Sequence, residues 1–298
     1  MSRTDWGIIF ALALLWGGSF FFIGVAIRSV TPLTLVLVRV TLAAAFLWFW
    51  RAMRREPLAL PPKAVFALVV LALLNTVLPF ALFAWAQRTL PSGLASILNA
   101  TTPIWTVIVA HLFTSDEKAT PAKILGVLLG FAGVAVMIGA DLLGQIGTHL
   151  FAQLACLMAS LCYGFAGVWA RRFRGMGLDP VAVTTGQFTA ATLLLSPLVL
   201  LFEPPWHASA PAPVAWAALI GLALLSTAFA YVLYFKLLES AGATNSLLVT
   251  FLIPVTAVLL GSLFLGERLE PRHLAGMGLI ALGLVAIDGR LLVRRRQR

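Results

Sequence analysis

Arg39 is the one charged side chain that falls well inside an apolar run of this chain. By helical rise it stands about 14 Å from one end of that run. An arginine in hydrocarbon is costly unless it is paired, hydrated or snorkelled to the interface. Two readings follow. Its guanidinium faces an internal cavity and attracts an anionic group such as a carboxylate, or it snorkels outward or pins helix ends through carbonyls. Other polar groups share the apolar runs: Asn75 and Gln87 lie on one, Asn99 on the next. A buried amide demands a partner. Trp16, Trp105, Trp169, Tyr163, Tyr231 and Tyr234 also fall deep in such runs. Each offers an apolar face with one polar handle, which suits an amphipathic or aromatic solute. Lipid contact or plain packing is the alternative for each ring. Trp6, Trp48, Trp50 and Trp206 sit near run ends, where membrane-interface belts form.

Other chemistry is excluded by what is missing. No Gly-rich phosphate loop with its lysine occurs, so ATP hydrolysis is not expected. His111, His149, His207 and His273 all fall near loops, with no metal-binding or Ser-His-Asp arrangement. Cys156 and Cys162 share one run but face different directions on a helix. They read as packing residues. We therefore expect no enzyme, cofactor or metal. No acidic residue lies mid-run to carry a proton, which speaks against proton coupling.

The elements that position these residues must be membrane spans. Mean hydropathy is +0.99, and only 11% of residues are charged. A soluble domain needs roughly a quarter. Ten spans are expected, at 6–27, 30–50, 64–87, 91–111, 123–140, 150–170, 180–202, 214–237, 242–265 and 273–289. The first is long enough to cross and reads as a span, not a cleavable signal peptide. The net charge of +10 does not indicate nucleic acid, because the basic residues cluster in the loops at 51–63 and 171–174 and in the tail at 290–298. With an even number of spans, all three clusters fall on one side with both termini. The positive-inside rule makes that side the cytoplasm.

The two halves repeat each other. Leu73-Leu74-Asn75-Thr76 recurs as Leu224-Leu225-Ser226-Thr227. At the same offset of 151, Phe80 and Phe83 fall on Tyr231 and Tyr234, Pro103 on Pro254 and Asp116 on Glu267. At nearby offsets Arg39 falls on Gln187, Trp16 on Tyr163, and Gly126 and Gly133 on Gly276 and Gly283. The expected units are 1–141 and 142–298, each with five spans. Five is odd, so the second copy enters the membrane inverted, as in many secondary transporters. Pro103 and Pro254 fall mid-span, where a kink acts as a hinge or is a purely structural bend. The spaced glycines suit close packing of short helices, with a dimer contact as the alternative. A monomer is expected.

These motifs resemble a known family. The run Leu14-Leu15-Trp16-Gly17-Gly18-Ser19-Phe20-Phe21, the Pro32 to Arg39 segment, the Pro103 and Pro254 helices and the Gly266-Glu267-Arg268-Leu269-Glu270-Pro271 run are similar to the drug/metabolite transporter superfamily, in its branch with two EamA domains. Ser115-Asp116-Glu117 stands where Gly266-Glu267 stands, so the first copy is degenerate. The resemblance implies an all-α, ten-helix permease of the bacterial inner membrane. Within the branch, amino-acid exporters, including the aromatic type, are most similar. They imply export of neutral and aromatic amino acids, with other small metabolites or drugs as the alternative. They also imply a central cavity, carried here onto Asn75, Phe80, Phe83, Asn99, Trp105, Trp169, Tyr231 and Tyr234. The residues themselves point the same way, with Arg39 or helix polar groups to meet a carboxylate.

Overall fold

The computed structural model describes residues 2–58, 60–115, 119–138, 148–204, 210–246 and 248–288. All regular structure among them is helical. Helix α1 spans Arg3–Ala26 and α2 Pro32–Met53. Helix α3 runs Pro62–Ala86 through a π-helical turn at Leu73–Val77. Helix α4, Ser92–Phe113, is broken at Ala100 and Thr101. Helix α5 is Pro121–Ile138, α6 Thr148–Ala170 and α7 Pro180–Phe202. Helix α8 begins as Pro213–Ala223, passes a second π-helical turn at Leu224–Phe229 and continues as Ala230–Ser246. Helix α9 is Leu248–Phe264 and α10 Pro271–Asp288.

Proline sets most of the starts. Pro32, Pro62, Pro121, Pro180, Pro213 and Pro271 are each the first residue of a helix. There the missing N–H removes no helical bond and the fixed φ suits the turn. The expected gap after residue 237 is absent. Ala241 and Ala243 favour helix, no proline intervenes, and α8 continues to Ser246.

Polarity is inside out. Phe49, Phe66, Leu128, Leu201, Phe202 and Leu263 are exposed, while Arg39, Thr76, Gln187, Ser226 and Thr227 are buried. Only lipid makes such a surface favourable, and the chain is a multi-pass membrane protein. Seven helical stretches are long and apolar enough to cross a membrane. Three shorter apolar stretches, Pro121–Val136, Leu252–Phe264 and Pro271–Ile287, lie where the fifth, ninth and tenth spans are expected.

The packing pattern maps onto itself when the halves are exchanged. Helix α1 packs on α8 and α9, and its counterpart α6 packs on α3 and α4. Helix α2 packs on α7, and α5 on α10. The repeat-matched glycines make the last contact. A Cβ at Gly126 would lie 2.5 Å from the Gly283 carbonyl oxygen, and one at Gly133 would lie 2.7 Å from that of Gly276. The glycine stripe is thus used within the chain, bringing α5 and α10 backbone to backbone. We expect Gly126→Leu and Gly283→Leu each to destabilise the fold by about 1–3 kcal/mol through overpacking. Gly278→Leu, which meets nothing within 4 Å, should leave thermal unfolding in detergent unchanged. Equal melting of all three variants would refute the contact.

Candidate functional site

The site grows from the two π-helical turns. A π turn widens the helix and leaves carbonyls without their usual i+4 partners. In α8 the Thr227 hydroxyl donates to the Leu222 carbonyl at 2.7 Å and accepts from Arg39 Nε at 2.8 Å. In α3 the Thr76 hydroxyl accepts from Gln187 Nε2 at 2.5 Å. Arg39 is on α2 and Gln187 on α7. Each half therefore sends one polar side chain into the widened turn of the other.

Arg39 does not snorkel. It is 6% exposed, and its guanidinium carbon sits 3.6 Å from the Phe80 ring centroid. The aromatic face carries negative charge density and partly replaces lost hydration. The two terminal nitrogens form no hydrogen bond with a described residue, yet are not sealed off from accessible space.

Rings from five helices surround this tie. Phe83 stacks on Tyr163 at 6.3 Å, and their repeat counterparts Tyr234 and Trp16 meet at 5.3 Å. Trp16 also meets Tyr231 edge-on at 6.3 Å, Phe188 meets Tyr231 at 5.4 Å, and Phe20 meets Phe83 at 5.5 Å. Asn75 Nδ2 donates to the Tyr231 hydroxyl at 3.4 Å. Tyr163 and Tyr231 are both half-buried. Tyr163 also sits at the seam of the two main apolar clusters.

Thus Arg39, Asn75, Phe80, Phe83, Tyr231 and Tyr234 come together. Other expected site residues stand apart. Trp169 Nε1 donates to the Ala67 carbonyl at 3.0 Å, and the Arg172 guanidinium covers its ring at 3.7 Å. That places it in a separate apolar cluster at the helix ends. Trp105 packs edge-on against Phe131 of α5 at 5.2 Å, with its ring N–H buried and without a partner among the described residues. Asn99 is half-buried beside the break in α4.

The expected kink at Pro103 is a break instead. The chain turns at Ala100 and Thr101, and Pro103 falls in the first turn of the next segment. The freed carbonyls find hydroxyls. Leu98 accepts from Thr101 at 2.7 Å and from Ser160 of α6 at 3.2 Å, and Asn99 accepts from Thr102 at 2.7 Å. Helix α9 stays continuous around Pro254. Asp116, the counterpart of Glu267, and the basic tail lie outside the described residues, as do Trp206 and His207.

Several residues had no individual role assigned from the sequence. Thr76 and Thr227 needed the π turns to be visible. Glu203 caps α2, accepting from the Leu33 and Thr34 N–H groups at 3.2 and 2.7 Å. Glu267 caps α4, accepting from the Ser92 N–H and hydroxyl, both at 2.8 Å, and from the Gly93 N–H at 3.2 Å. Arg51 of α2 reaches Asp179, the N-cap of α7, at 3.2 Å.

The duplicated helical frame with polar and aromatic groups at its seam is the architecture of a membrane transporter. The chain belongs to the EamA-like transporter family, whose pattern matches it twice, at 5–139 and 150–287. It is not an enzyme family. The chain is similar to the uncharacterized transporter YoaV of Bacillus subtilis (strain 168), 25% identical over 95% of this chain and 96% of that one. It resembles the uncharacterized inner membrane transporter YedA of Escherichia coli (strain K12), 25% identical over 94% and 89%. A probable terminal-alkyne amino-acid exporter of Streptantibioticus cattleyicolor is 28% identical over 100% and 97%. One solved crystal structure superposes with a TM-score of 0.70 over all of both chains at 22% identity, which is a likeness of fold.

The two cross-half ties should differ in strength. Thr227→Val removes a bond to a charged donor, worth about 1.5–3 kcal/mol, whereas Thr76→Val removes a neutral one, worth about 0.5–1.5 kcal/mol. Thermal unfolding in one detergent should rank Thr227→Val as the less stable. The reverse order would mean that the Arg39 tie is not made.

Proposed function

We propose that the protein exports small amphipathic solutes, neutral and aromatic amino acids first among them, by alternating access. In this reading ten helices cross the bacterial inner membrane as two inverted five-helix repeats, at 1–141 and 142–298, with both termini cytoplasmic. The solute rests between the halves. The observation that carries the proposal is the group of Arg39, Asn75, Tyr163, Tyr231 and Tyr234 at that seam. Aromatic faces suit an apolar side chain. The free nitrogens of Arg39 suit a carboxylate, and the Asn75 carbonyl oxygen suits an ammonium. No carboxylate is found in this group, which favours a zwitterion over a cationic drug. The Streptantibioticus relative's name supports the same solute class.

Proteoliposomes of the purified protein provide the test. Leucine and phenylalanine should move, and uridine, glucose and a cationic dye should not. Asn75→Leu and Arg39→Gln should each lower phenylalanine flux about tenfold, the scale of one lost polar contact. Flux of the dye or sugar alone would discard the amino-acid reading. An imposed pH gradient should not alter the rate, since the seam holds no proton-carrying carboxylate. A clear dependence would require coupling elsewhere.

Pro103 and Pro254 serve in this reading as hinges, one at a break and one in a continuous helix. Pro254→Ala restores the backbone donor that proline lacks. It should stiffen α9 and slow exchange more than Pro103→Ala does, because Pro103 sits where no donor is needed. Unchanged flux in both variants would remove the hinge role.

A further inference from the structure

A second polar space lies away from the seam, at the membrane face opposite the basic loops. It is a cavity of about 340 Å³ between the end of α1, the α3–α4 turn and the α9–α10 turn. Its polar lining is Arg28, Gln87, Arg88, Thr89 and Glu267, with Gly24 between them. Gln87 is 6% exposed, and both its amide oxygen and its amide nitrogen lack a partner among the described residues. An unmet buried amide costs about 1–3 kcal/mol. Arg28 and Arg88 are exposed and make no hydrogen bond or ion pair with a described residue. Glu267 offsets one of these two charges and leaves the lining with a net positive charge of one. Its two oxygens already accept three hydrogen bonds from the start of α4.

The lining thus offers one buried amide donor and two unpaired guanidinium groups around a space that fits a small molecule. Gly24 adds no side chain to the lining. A Cβ there would stand 4.0 Å from Gln87 Oε1 and 3.0 Å from Leu265 Cδ1. We propose that this cavity binds the carboxylate of a small organic solute. Arg28 and Arg88 attract it, and the Gln87 amide, whose two polar atoms lie covered and unmet just behind the lining, turns toward it so that Nε2–H donates to the carboxylate. The site depends on the export reading only for its place in the sequence of events. There it is the last station of the solute before release.

Arginine modification tests this without transport. Purified protein in detergent is treated with phenylglyoxal, and the peptides bearing Arg28 and Arg88 are quantified by mass spectrometry. Millimolar phenylacetate should slow modification of both about tenfold, the scale of one charge-assisted contact. Phenethylamine, which has the ring but no carboxylate, should not. Gln87→Leu should abolish the protection. Gln87→Glu, nearly identical in shape, should abolish it too through like-charge repulsion, so a folding defect in one variant does not decide the matter. Labelling indifferent to phenylacetate, or protection that survives both substitutions, overturns the site. Protection by phosphatidylglycerol without protection by phenylacetate also overturns it, in favour of a lipid phosphate. Protection without amino-acid flux in proteoliposomes sinks the export reading and leaves the site standing. Flux without protection does the reverse.

Discussion

A bilayer has no water to satisfy a polar group, and the two π-helical turns turn that constraint into architecture. A widened turn in hydrocarbon needs polar partners from within the protein. Thr227 answers part of the demand itself, by donating to Leu222 one position beyond the usual helical reach. The rest comes from the other half of the chain: Arg39 reaches Thr227, and Gln187 reaches Thr76. Neither tie can form inside one repeat. The halves are therefore held in register by buried polar bonds, since apolar packing among apolar helices gives little selectivity.

The helix ends follow the same logic. The chain has 11 acidic residues, and those best placed to act are engaged at N-termini. Glu203 holds α2, Glu267 holds α4, and Asp179 caps α7 while gripping Arg51. A carboxylate there meets orphan N–H groups and the positive end of the helix dipole. Gly261 makes the Glu267 cap possible, since a Cβ on it would come within 2.7 Å of the Ser92 hydroxyl oxygen. These acids hold helix ends, and the seam between the halves is left with the positive charge of Arg39.

How much of this was legible depends on the range of each interaction. Helix positions were legible because twenty apolar residues bounded by proline leave few alternatives. Duplication was legible from Leu73-Leu74-Asn75-Thr76 and its copy, but not its meaning: the residues that stood out as a motif are the π turns themselves. Nothing in hydropathy distinguishes a π turn from an α turn. The roles of Thr76 and Thr227 were hidden for a second reason, since their partners lie 111 and 188 residues away. Gln187 was visible only as the neutral counterpart of Arg39. Trp105 and Trp169 show the opposite error. Depth in a span suggested a shared site, but depth does not say which way a ring faces, and these two turn toward α5 and toward Arg172.

Where the pseudo-symmetry holds, the contacts match in kind: glycine against glycine, hydroxyl to side-chain donor, ring against ring. Where it fails, the differences collect at one place. Arg39 faces Gln187, Asn75 faces Ser226, and Phe80 faces Tyr231 across the repeat. The Ser226 hydroxyl is buried with no described partner, whereas Asn75 bonds Tyr231. A symmetric seam would present the same groups to both ends of a solute. This one presents a cation and a ring from one half and phenols from the other. Under the proposed function that asymmetry orients a zwitterion, because only one end of it is welcome at Arg39. In that reading the duplication supplies the two-state frame, and the divergence supplies the direction in which a solute lies within it.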